Sequence, residues 1–135
     1  MIDPGMGSVL AIAESLTNIL WVPLTAGLSS VSLSANWMWA CNNAGEDARL
    51  YEAVQACSEF ATALGINIPT GKDSLSMKQE YPEGKVTAPG TVIITAGGQC
   101  EAVTQIVTPE LKSEGGDLYY VCLLYTSPSP RDKRQ

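Results

Sequence analysis

The chain has 135 residues, enough for one domain around one hydrophobic core, with 45% apolar and 16% charged residues. Its net charge of −6, with no basic patch in the body, argues against a nucleic-acid partner, and no run of about 18 apolar residues is present to cross a membrane. There is no His, and Cys41, Cys57, Cys100 and Cys122 are widely spaced without a CxxC pair, which argues against a zinc site and against His-activated nucleophiles. The expectation is a cytoplasmic protein with free thiols.

Residues 8–20 place Val9, Ile12, Leu16, Ile19 and Leu20 on one face at helical spacing. Glu14 and Asn18 stack one turn apart on the opposite face, beside the small Ala11 and Ser15. That pair reads either as a solvated helix face or as two oxygen ligands open to close approach. The apolar stretch 9–21 is interrupted by Glu14, Ser15, Thr17 and Asn18 and has no basic start, so it is not a signal peptide. Pro23 stops the helix. Residues 29–36 alternate, with Val31, Leu33 and Ala35 on one side and Ser30, Ser32, Ser34 and Asn36 on the other, as a half-buried strand does. A bulky turn of Asn36, Trp37, Met38 and Trp39 follows.

Glu46 and Asp47 open a second helix, where negative charge suits the dipole. Leu50, Tyr51, Val54, Cys57, Ala61 and Leu64 form its predicted buried stripe, and Gly65 its C-terminal cap. Residues 66–68 are a short strand limited by Pro69, and 78–89 a polar stretch with a Pro82-Glu83-Gly84 turn. Residues 91–96, TVIITA, read as a buried strand ended by Gly97-Gly98. A short helix over 102–107 and a strand over 117–121 complete the chain. The order predicts a mixed α/β (α+β) domain: a mixed sheet with helices packed on one face.

Both ends look foreign to a natural domain. Residues 122–135, CLLYTSPSPRDKRQ, shift abruptly in composition and resemble the translation of a sequencing-library adapter; a plain Pro/Ser tail gives the same expectation of disorder. Without them, five basic and thirteen acidic residues leave a net charge of −8. The opening MIDPGMGS runs almost directly into a helix. The expectation is a piece of something larger.

The stretch TGKDSLSM (70–77) has the Gly71-Lys72 pair of a phosphate loop, but the rest of that motif fails. Position 66 is Ile instead of Gly, position 73 is Asp instead of Ser or Thr, and residues 74–78 alternate like a strand. What remains is local chemistry: Gly71 allows close backbone approach, Lys72 is a candidate phosphate cation, and Ser74 offers a small hydroxyl. A polar turn before a strand accounts for the same residues.

Taken together, AIAESLTN (11–18), SLSANWMWAC (32–41), GEDARLYEAVQAC (45–57), ALGINIPTGKDSLSM (63–77) and APGTVIITAGG (88–98) resemble the large-type phosphoribosylformylglycinamidine synthases. The resemblance is collinear over about residues 2–121, with LSANWMW and IPTGKDSLSM its most specific parts. Ala40 stands where proline is more usual, and Val9 where a basic residue is common.

The resemblance implies an N-terminal-type subdomain of the aminoimidazole ribonucleotide synthetase-like superfamily, from the second synthetase half. That subdomain would occupy 1–116 without its leading strands, and 117–121 would start the next. The implied activity is that of a ligase of purine biosynthesis. It converts formylglycinamide ribonucleotide, ATP and glutamine to formylglycinamidine ribonucleotide, ADP, phosphate and glutamate. The implied cofactors are ATP and Mg2+; the implied partners are that substrate and the remaining synthetase and glutaminase domains. Glu14 and Asn18 match the Glu and Asn of a helix that binds magnesium beside a nucleotide phosphate, which suits hard oxygen ligands. Gly71 and Ser74 match a Gly and a Ser that touch nucleotide and substrate. Lys72 stands where small-type relatives carry an Asn metal ligand, so a phosphate contact is the more sensible role for it. Asn36 aligns with a nucleotide-contacting loop. Two alternatives accompany this reading: a half that holds a structural, non-reacting nucleotide, or a stand-alone α/β interaction module. Alone, the chain is expected to show no turnover.

Overall fold

Asp3 and Pro4 start the first helix, four residues before the apolar spacing predicts. In the computed structural model, which describes residues 2–117 and residue 119, helix α1 is Pro4–Ile19. Asp3 Oδ1 accepts the Met6 N–H at 2.8 Å, and Pro4 takes the first turn, where its missing N–H costs nothing. A one-turn 3₁₀ segment, Gly27–Ser30, leads into strand β1, Val31–Met38. Helix α2 is Glu46–Leu64, closed by Gly65 in the left-handed conformation as predicted, with φ 69°. Strand β2 is Asn67–Ser74, β3 Lys78–Tyr81, β4 Gly84–Thr87 and β5 Thr91–Gly98.

β1 is the central strand of a three-stranded sheet of order β2-β1-β5, parallel to β2 and antiparallel to β5. Its alternation is the predicted one: Val31, Leu33 and Ala35 are buried, and Ser32 is exposed. The core joins Val31 and Leu33 to Ile12 of α1, to Cys57 and Ala61 of α2, and to Ile66. Both helices therefore cover the same face of the sheet, and no helix among the described residues covers the other. The predicted class, a mixed sheet with helices on one face, is the observed one. β3 and β4 form a separate two-stranded hairpin around Pro82-Glu83, with every residue exposed.

The structure corrects several local expectations. The buried side of α1 is Pro4, Ser8, Ile12 and Ser15, and Leu20 is exposed. Small residues let α1 come close to α2: a Cβ on Gly5 would sit 3.5 Å from Ala56 Cβ. The two buried hydroxyls are satisfied within the helix, Ser8 by Pro4 O and Ser15 by Ile12 O, each at 2.8 Å. On α2 the stripe is Ala53, Cys57 and Ala61, while Tyr51 and Val54 face outward, because the close α1 contact selects alanines. The bulky turn after Asn36 is a continuation of β1, and only Trp39 beyond it is fully buried. Residues 91–96 are an edge strand with one covered face: Val92 is buried and Ile93 exposed. The helix expected over 102–107 is a single 3₁₀ turn, Val103–Gln105. Most of the 117–121 strand and all of 122–135 lie outside the described residues.

The largest difference is at TGKDS, expected as a loop and found within β2. Pro69 is tolerated because β2 is an edge strand and because its register against β1 shifts between Ser32 and Ser34.

Candidate functional site

Strand register decides which candidate residues meet. Ala35 pairs with Gly71, Asn36 with Lys72, and Met38 with Ser74. Ala35 belongs to the buried face, so Gly71 lies on the helix side with it. Asn36, Lys72 and Ser74 lie on the helix-free side. There they join a polar surface that includes the Ser34–Thr70 hydroxyl pair, 3.4 Å apart. The Lys72 ammonium donates to Ser74 Oγ at 3.2 Å. Asn36 Oδ1 is buried without a hydrogen-bond partner. An orphaned acceptor, an exposed cation and a hydroxyl thus occupy neighbouring positions of two strands.

Gly71 has a packing reason to be glycine. A Cβ there would stand 2.7 Å from Ala35 O. The absent side chain lets β2 approach β1, whatever else approaches Gly71 from outside.

Glu14 and Asn18 are exposed on α1, one turn apart as predicted, and their helix lies on the covered side of the sheet. The neighbouring Ile19 reaches within 3.5 Å of a Cβ built on Gly98, which pairs with Val31. Lys72 and its partner Asn36 are five residues along β1 from that end, or about 16 Å at strand spacing. The structure brings Asn36, Lys72 and Ser74 together and keeps Glu14 and Asn18 apart from them. A carboxylate and an amide oxygen are the hard donors magnesium takes. Among the described residues no cluster of three or more His, Asp, Glu or Cys forms a metal site.

Sequence reasoning missed an open cleft of about 900 Å³ between α2 and β2. Trp37, Val54, Cys57, Ala61 and Ile68 line it, and Gly71, Lys72 and Asp73 of β2 border it. The signal was Val54, an apolar residue on the side of α2 away from α1. Cys57 is at the floor of the cleft, and burial raises its thiol above the ordinary value of 9.0. Cys41 is also raised, by burial first and then by Asp47, Glu46 and Asp73. Cys41, Cys57 and Cys100 are all free thiols.

Residues 1–99 match the model of the FGAR-AT PurM_N-like domain. The chain belongs to this family. It is similar to a probable phosphoribosylformylglycinamidine synthase, chloroplastic/mitochondrial, of Arabidopsis thaliana, at 44% identity over 87% of the chain and 8% of the relative. It is also similar to the phosphoribosylformylglycinamidine synthase of Homo sapiens, at 40% identity over 99% of the chain and 10% of the relative. The chain thus spans about a tenth or less of these relatives' length. The resemblance read from LSANWMW and IPTGKDSLSM leads to the same family, and the two-layer fold is that of an FGAR-AT PurM_N-like domain.

Proposed function

We propose that this chain is a segment of a phosphoribosylformylglycinamidine synthase and contributes part of a magnesium–nucleotide and substrate site. The match of residues 1–99 to the FGAR-AT PurM_N-like domain carries the reading. The clustering of Asn36, Lys72 and Ser74 on one sheet face is compatible with it. In the complete enzyme, magnesium-bound ATP supplies phosphoryl activation of the substrate amide oxygen. This chain's part is to bind and orient. The Ser74 hydroxyl meets an oxyanion with the Lys72 ammonium beside it, Asn36 offers an amide next to them, and Glu14 and Asn18 give two oxygens to magnesium.

The placement of the two groups on opposite sides of the sheet favours a second reading for Glu14 and Asn18 alone: they hold a non-reacting nucleotide whose role is to stabilise the fold. Glu14→Ala in the full-length polypeptide separates the two. Loss of a metal ligand costs about tenfold or more in turnover if the site is catalytic, with the unfolding midpoint unchanged. A lowered midpoint with normal turnover per folded molecule supports the structural nucleotide. Normal turnover and an unchanged midpoint sink both roles for Glu14. The chain alone is predicted to show no turnover with ammonia, ATP and formylglycinamide ribonucleotide. Formation of formylglycinamidine ribonucleotide by the purified chain contradicts that.

A further inference from the structure

Ser74 is half-buried and held by its backbone. Its carbonyl accepts the Trp39 N–H at 2.8 Å, and the next carbonyl, that of Leu75, accepts the Cys41 N–H at 3.0 Å. The backbone is therefore locked to the end of β1, and the freedom left at Ser74 is that of its hydroxyl. Lys72 stands two residues earlier on the same face, and its ammonium is 3.2 Å from Ser74 Oγ. An ammonium has three donors and no lone pair. Ser74 Oγ must therefore accept from it, and the single hydroxyl hydrogen is left to point elsewhere.

We propose that Lys72 is a positioning residue that fixes the Ser74 hydroxyl as a donor, so that the ligand atom meeting Ser74 is an acceptor such as a phosphate or carbonyl oxygen. This rests on the reading that Ser74 faces the site. It gives Lys72 a role through Ser74 instead of a contact of its own.

The test is a double-mutant cycle in the full-length polypeptide, with Ser74→Ala, Lys72→Met, the double variant and Lys72→Arg. KM and kcat are measured for both ATP and formylglycinamide ribonucleotide. Ser74→Ala and Lys72→Met are expected to raise the same KM about three- to tenfold with kcat little changed. The double variant is expected to be no worse than Ser74→Ala alone, and Lys72→Arg to restore most of the loss. Multiplying effects mean that Lys72 meets the ligand itself, which overturns the positioning role and leaves the site reading intact. A silent Lys72→Met overturns it as well. A silent Ser74→Ala overturns the site reading first and the positioning role with it. Both residues lie on the helix-free face, so unfolding midpoints close to the parent's show that the fold is retained.

Discussion

The two faces of β1 differ in what they are for. On the helix side, Val31, Leu33 and Ala35 are at most 4% exposed, and Val31 and Leu33 share a core with Ile12, Cys57 and Ala61. On the other side, Ser34, Asn36 and Met38 are only half-buried, and their neighbours on β2 are Thr70, Lys72 and Ser74. One residue of shift along the strand separates a position that stabilises the fold from a position that can meet a ligand. β2 repeats the division within TGKDS: Gly71 serves the packing of β2 on β1, and Lys72 and Ser74 present polar groups outward.

Substitutions on the two faces should sharpen that contrast. The largest effect is expected from Leu33→Ala, which leaves a cavity between both helices and costs about 2–5 kcal/mol in urea or thermal unfolding. Gly71→Ala comes next. Its Cβ meets a backbone carbonyl 2.7 Å away, which cannot rotate aside, so a loss of about 1–3 kcal/mol is expected in the same measurement. A Gly71→Ala protein as stable as the parent would show that β2 moves freely against β1.

Cys57 gives a pH-dependent test of the covered face. Burial raises its thiol, so the folded chain keeps a proton that the unfolded chain releases near 9.0. The stability from this group is fully present below that pH and is lost as pH rises through the higher folded value. Cys57→Ala should flatten the decline in unfolding free energy above pH 9, and an unaltered slope would assign the decline to other groups. The smallest effect belongs to the outer face. Asn36→Ala removes a buried acceptor that has no partner, so stability should stay level or rise by about 1 kcal/mol. A clear loss would mean that the Asn36 amide supports the fold.

How much of this was legible depended on how local the signal was. The alternation of residues 31–36 and the Gly65 cap are local, and both were readable. β2 was legible only at its start, residues 67–68, because Pro69, Gly71 and Asp73 all disfavour a strand by themselves; pairing with β1 and the edge position override them. The faces of α1 and α2 were read in part: Ile12, Cys57 and Ala61 are core as expected, but the large apolar Leu20, Tyr51 and Val54 are exposed. Gly5 and Ala56 bring the helices together, and the fully buried Ser8 and Ala53 are small; none of these carries much hydrophobic signal. The candidate residues were legible as a motif, but their division between two faces was not, since it depends on the β1–β2 register.

The most direct measurement compares Ser74→Ala with Leu33→Ala in the full-length polypeptide, recording unfolding midpoint and kcat/KM per folded molecule. The account predicts that Ser74→Ala keeps the midpoint and loses kcat/KM, while Leu33→Ala lowers the midpoint and keeps kcat/KM. A Ser74→Ala protein with normal kcat/KM and a lowered midpoint would contradict it: the helix-free face would then be part of the fold's stability and no part of its site.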